Sequence, residues 1–201
     1  MKLRAGYVAF IPPGEPEQDT ILKESLIRAS WVANEIVVVW GRFRGREDLP
    51  PRPPPGYLER FPLSVGAKVK VIYSDLKLPQ HEQRDLYLDG LEEGDILMVM
   101  DADWIPVYSA IPQYPSTPGK VAVRKYLFKD QEDWDSLLVD ILYPDGKKQC
   151  SIICVYRYRP GMRHGLGQLL ELDGKPIASP EFQVLPASPG FFYVHVKKEV
   201  K

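Results

Sequence analysis

Apolar residues in the first hundred positions follow two alternating rhythms. Tyr7 to Ile11 is a short apolar run closed by Pro12-Pro13-Gly14, a combination that ends a strand. From Glu17 onward, Ile21, Leu22, Leu26, Ala29 and Ala33 recur at helical spacing, which predicts a helix with one buried face. Glu15, Glu17 and Asp19 stand near its amino end, where the helix dipole favours acids, and Asn34 closes it. Glu35-Ile-Val-Val-Val-Trp40 then reads as a strand covered on both faces. Val69 to Tyr73 alternates as a third strand, and Glu82 to Leu91 as a helix with Leu86, Leu88 and Leu91 apolar. Ile96 to Met100 is a fourth strand. Strand and helix alternating in this way predict an α/β architecture with a parallel sheet and right-handed crossovers.

Beyond Pro106 the texture becomes β-rich. Val121–Phe128, Leu137–Tyr143 and Gln149–Tyr158 read as strands, the last two joined by the turn Pro144-Asp-Gly146. The stretch 161–189 is loop-rich, and Phe191–Val196 is a last strand. No repeat or long linker interrupts the chain, so residues 1–201 are expected to form a single domain of two subregions, 1–105 and 106–201.

Charge narrows the classes of partner. Twenty-six basic against 27 acidic residues leave a net charge of −1, which argues against a nucleic-acid-binding protein that works by neutralising phosphates. The longest apolar runs, Ile36–Trp40 and Ile96–Met100, fall far short of the roughly 20 residues of a membrane span. Lys2 and Arg4 follow Met1 with no signal-peptide pattern behind them. The expectation is a cytoplasmic protein without a transmembrane segment, free or peripheral to a membrane. Cys150 and Cys154 lie on one strand, roughly 13 Å apart on the same face, too far for a disulfide or a shared zinc. They read as small core residues.

The chemistry concentrates in Asp95-Ile-Leu-Met-Val-Met-Asp101-Ala102-Asp103. A buried strand ends and two carboxylates emerge, one residue apart, where open parallel sheets bind their ligands. Two such acids can hold a divalent cation, directly or through water, and the cation can stabilise a departing diphosphate. The plain alternative is a strand-capping Asp-Ala-Asp with no chemistry.

Arg84, Leu86, Leu88, Leu91 and Gly94-Asp95 precede this strand, and Tyr7-Val-Ala-Phe-Ile-Pro-Pro opens the chain ahead of a helix and Glu35-Ile-Val-Val-Val. This order, running into an Asp-x-Asp triplet, resembles glycosyltransferases of the GT-A fold, family 2 above all, over about residues 5–105. The resemblance implies a mostly parallel sheet flanked by helices, with 1–105 as the nucleotide-binding half and 106–201 as a β-rich acceptor side. It implies an inverting transfer of sugar from a UDP- or GDP-sugar to an acceptor hydroxyl, with Mn²⁺ or Mg²⁺ as cofactor. Asp101 would lie near the donor ribose and the metal, and Asp103 would ligate it at the diphosphate. Pro12, Pro13 and Gly14 would frame the nucleoside, and Arg84 would meet phosphate or base. His195, on the last strand, would supply a further metal ligand, with core packing as its alternative and His164 as runner-up. Trp40-Gly-Arg-Phe-Arg-Gly-Arg46 replaces the acids that family 2 members often carry after the second strand. That basic cluster either touches a diphosphate or an anionic acceptor, or is a solvated loop.

An inverting transfer needs a base for the acceptor hydroxyl. Gln131-Glu132-Asp133 matches the family's xED letters, which makes Asp133 the candidate base and Glu132 its neighbour, with Asp140 and Glu181 as substitutes. Rival readings are a haloacid dehalogenase-type phosphatase with Asp101 as nucleophile, a sugar nucleotidylyltransferase, and a nucleotide-sugar- or carbohydrate-binding protein without catalysis.

Overall fold

The computed structural model describes residues 1–42, 48–60, 67–74, 78–109, 133–167 and 169–196. Of these, 39% lie in strands and 15% in helices. The chain begins with β1 (Leu3–Ala9), α1 (Pro16–Ala29) and β2 (Glu35–Trp40), followed by α2 (Tyr57–Arg60), β3 (Lys68–Tyr73), α3 (Gln80–Asp85) and β4 (Ile96–Asp101). It continues through β5 (Trp104–Tyr108), β6 (Ser136–Leu142), β7 (Lys148–Arg157) and β8 (Arg163–His164). The last elements are β9 (Leu170–Leu172), β10 (Lys175–Pro176), β11 (Val184–Leu185) and β12 (Phe191–His195). The expected strand at 121–128 lies outside the described residues.

One nine-stranded sheet organises the molecule, in the order β3-β2-β1-β4-β7-β6-β12-β5 with β11 paired to β6, and a small sheet β10-β9-β8 stands apart. β3, β2, β1 and β4 run parallel. β4 meets β7 antiparallel, β7 meets β6 antiparallel, and β12 pairs parallel with β6 and antiparallel with β5. This corrects the fold expectation. The chain does not form a mostly parallel α/β sheet flanked by helices on the GT-A plan; it forms a strand-dominated, mixed and curled sheet. Among the described residues, the helix expected over 82–91 is not formed: only the six polar residues of α3 are helical, and α3 ends at Asp85 before the apolar positions begin. Leu86 to Gly90 then turn, and Tyr87, Leu88 and Leu91 are buried from those turns.

The curl follows from one short connection. Only Ala102 and Asp103 separate β4 from β5, yet β5 lies four places along the sheet from β4. Three Cα steps reach at most about 11 Å. Four strand spacings in a flat sheet would demand roughly 19 Å. The sheet therefore bends round until its last strand starts beside the end of β4. Against the bend lies α1, which buries Leu22, Ser25, Leu26 and Ala29, and whose Ser25 hydroxyl donates to the Trp104 carbonyl and meets the Tyr7 hydroxyl at 2.9 Å.

The core is continuous through the sheet. β2 and β4 bury nearly every residue, as strands packed on both faces must. At the centre of β1, Gly6 admits the Tyr87 ring so closely that a Cβ there would stand 2.7 Å from it. Cys154 is buried and Cys150 half-buried, both free thiols, and burial pushes the Cys154 thiol far up. Among the described residues, no helix is long and apolar enough to cross a membrane.

Candidate functional site

β4 carries Asp101 to the carboxyl end of the parallel strands, level with Val8 of β1, and the chain turns there through Ala102 and Asp103 into β5. Because β5 pairs with β12, residue for residue Trp104 with His195, the turn holds the Asp-x-Asp triplet against the end of the last strand. The Asp103 carboxylate lies 3.1 Å from His195 Nε2, although 92 residues separate them. The Asp103 side chain is 46% exposed and that of His195 13%. Desolvation beside the sheet raises the Asp103 carboxyl above its ordinary range; His195 draws it back down and Asp101 pushes it up. On its other side the His195 ring meets Gln149, with Nδ1 at 2.9 Å from Oε1, and stands edge-on to Trp104.

Asp101 has a different fate. Its carboxylate pairs with Arg84, a side chain 2% exposed. Arg84 stands on α3, which docks against β1, and the Tyr87 hydroxyl lies beside its guanidinium. Asp101 is thus a counter-ion for a buried cation. A carboxylate so engaged is a poor nucleophile, which counts against the phosphatase reading. Arg84 itself is sealed from solvent, so it acts at the mouth only through Asp101.

Pro12, Pro13 and Gly14 follow β1 at the same end of the sheet, Pro12 half-buried and the other two exposed. Gly14 has φ 84°, a left-handed conformation that a side chain would strain, and it turns the chain into α1. Beside this turn, Arg52 donates to the Ile11 carbonyl at 3.0 Å, and its own carbonyl accepts from the Trp40 indole at 2.9 Å. Arg42 is 8% exposed and donates to the Leu49 carbonyl, so it faces inward; Arg44 and Arg46 lie outside the described residues.

The structure does not bring Asp133 to this site. It lies at the amino end of β4, in a cavity of about 770 Å³ lined also by Glu93, Gly94, Asp135 and Arg159. β4 runs from Ile96 to Asp101, and its five residue steps span about 17 Å. Asp133 is therefore at the wrong end to deprotonate an acceptor near Asp103, and Glu132 lies outside the described residues. Glu181 lines the same remote cavity and pairs with Lys175 at 2.7 Å. Asp140 is engaged by Lys148 at 2.8 Å and Ser151 at 2.7 Å. His164 is buried, its ring 2.9 Å from the Tyr87 hydroxyl and its backbone N–H donating to Asp85. It is a core histidine.

No family model and no curated protein matches this chain. The site must be judged on its donors. Among the described residues, no group of three or more His, Cys, Asp or Glu side chains gathers in a metal-holding arrangement. Asp103 and His195 form a pair, one carboxylate and one imidazole, with a face open to solvent. Two protein donors suit a cation that completes its shell with phosphate oxygens and water. An imidazole beside a carboxylate suits Mn²⁺ better than Mg²⁺. Gln149 was missed in the sequence, where it reads only as the first residue of a strand.

Proposed function

We propose that this chain binds a nucleotide-diphosphate sugar at the carboxyl end of β4 and transfers the sugar to an acceptor hydroxyl. The observation that carries the reading is the convergence of Asp103 and His195, from positions far apart in sequence, at the half-open carboxyl end of the parallel strands. These two residues would hold Mn²⁺, and the ion would neutralise the donor's diphosphate. Arg84 fixes the Asp101 carboxylate and so fixes the turn from which Asp103 projects. The Pro12-Pro13-Gly14 turn offers a rigid, side-chain-poor wall on which a nucleoside can lie. UDP- and GDP-sugars are the donor classes to test.

The position of Asp133 favours a second reading, in which the same site binds a nucleotide sugar without turning it over. Both readings require that UDP- or GDP-sugars raise the melting temperature in the presence of Mn²⁺ and much less without it. Asp103→Ala and His195→Ala should each remove the Mn²⁺-dependent increment. An unchanged increment in both variants, or no shift with any nucleotide sugar, sinks the proposal. Release of free nucleotide on addition of candidate acceptors separates transfer from binding.

A further inference from the structure

The cavity at the amino end of β4 takes no part in the nucleotide-sugar reading. It measures about 770 Å³, within the roughly 300–1,000 Å³ of small-molecule sites. Four stretches of chain wall it, and backbone hydrogen bonds lock them together. The Gly94 amide donates to the Tyr158 carbonyl, the Arg157 amide to the Asp135 carbonyl, and the Asp135 amide to the Gln183 carbonyl, each at 2.9 Å. The charges inside have both signs: Glu93, Asp133, Asp135 and Glu181 stand against Arg157 and Arg159. Asp135 is almost wholly buried, accepts from the Gln183 amide and pairs with Arg159. Glu181 pairs with Lys175, and Arg157 is engaged as well. Among the described residues, the exposed Glu93 and Asp133 make no hydrogen bond or ion pair, and Arg159 gives only Nη2 to Asp135. The Arg159 side chain remains 45% exposed.

We infer that this cavity binds a free basic amino acid, of the arginine or lysine class. The walls leave two carboxylates and one guanidinium fork unmatched, and such a ligand carries their complement: two cationic groups and one carboxylate. Its carboxylate meets Arg159, which a buried acid holds from behind and whose planar donors suit a carboxylate. Its ammonium and its side-chain cation meet Glu93 and Asp133, and Tyr158 adds an aromatic wall to the same space. Four acids against two arginines repel a ligand of net negative charge. This site owes nothing to the Asp-x-Asp corner, which lies at the other end of β4.

The test titrates the full chain with L-arginine and L-lysine, and with agmatine, Nα-acetyl-L-arginine and L-glutamate, by calorimetry at one pH and ionic strength. Agmatine lacks the carboxylate and Nα-acetyl-L-arginine lacks the ammonium, so each should bind about ten-fold or more weakly than L-arginine, and L-glutamate should not bind. Glu93→Gln and Asp133→Asn change exposed side chains without changing their shape, and each should weaken L-arginine about ten-fold. Arg159→Gln should weaken L-arginine by a similar factor and leave agmatine unchanged, a split that a merely distorted cavity would not give. The inference is overturned if the wild-type chain binds neither L-arginine nor L-lysine, or binds L-glutamate, agmatine or Nα-acetyl-L-arginine as tightly as L-arginine. Wild-type affinity in both Glu93→Gln and Asp133→Asn, or an equal loss of agmatine and L-arginine in Arg159→Gln, overturns it as well.

Discussion

The two ends of β4 both present carboxylates, and they use them in opposite ways. At the amino end Asp95 accepts from the Lys2 amide at 2.6 Å and the Glu92 amide at 3.1 Å. Asp135 nearby accepts from the Gln183 amide at 2.8 Å and from Arg159. Both side chains are almost wholly buried, and their oxygens are spent on holding loops to the sheet. At the carboxyl end Asp101 is spent in the same manner on Arg84, but Asp103 is not. It keeps one face open and, besides its own backbone amide, meets a histidine where Asp101 meets an arginine. The lesson is that an acid's neighbours, more than its letters or its spacing, separate a carboxylate spent on scaffolding from one left partly open.

The largest test asks whether the two ends stand or fall together. Tyr7, Tyr87, Tyr108, Tyr156 and Tyr193 share one core, and burial pushes each phenol well above its ordinary value. Above about pH 10 the unfolded chain releases phenolic protons that the folded chain keeps, so stability must fall as pH rises. Each such phenol should remove about 1.4 kcal/mol per pH unit in that range. Denaturant titrations from pH 8 to 11 should show this alkaline loss as one transition for both ends; a flat profile would contradict it.

Next comes Asp101→Ala. Stripping the carboxylate from a buried guanidinium should cost about 3 kcal/mol in denaturant unfolding, the lower part of the range for broken buried pairs, because Asp101 is itself partly open. A loss below about 1 kcal/mol would mean that Asp101 is not the counter-ion described. At the other end Asp135→Ala should cost about 1–2 kcal/mol, since the Gln183 amide loses its acceptor and the Arg159 contact is largely exposed. Asp133→Ala, on the exposed rim beside it, should change stability by less than about 0.5 kcal/mol and leave Mn²⁺ binding untouched. Loss of Mn²⁺ binding on that change would place Asp133 in the site after all.

Among the parallel strands, β2 and β4 were legible for a physical reason, whereas β1 begins at Leu3, ahead of the run expected from Tyr7 to Ile11. β2 and β4 are covered on both faces, so their apolar runs are unbroken and their limits fall where the run stops. β5 was not legible, because Trp-Ile-Pro-Val-Tyr carries Pro106; an edge strand tolerates that proline, and a reader takes it as a stop. With β5 unseen, the curl of the sheet could not be foreseen, and a repeating strand-helix pattern suggested a flatter, more helical architecture than the chain adopts. Asp101 and Asp103 were legible as a pair because they follow a buried strand directly. Their division of labour was not, since it depends on Arg84 approaching from α3. The meeting of Asp103 with His195 depends on the sheet order, which no local spacing encodes. Gln149 depends on a single irregular step in a hairpin. Asp133 failed for the converse reason: matching letters in a polar connection carry no information about which end of a strand they reach.

The bare backbone of Gly6 has a consequence that reaches the mouth of the sheet. The Tyr87 ring packs so closely on β1 only because position 6 has no side chain, and that ring abuts the guanidinium whose partner anchors the Asp-x-Asp corner. A single added methyl would lift the ring and loosen the footing of the corner from below. Permitted variation at this position is therefore set by the buried Tyr87 ring, and a change deep in β1 would be felt at the exposed corner of the sheet.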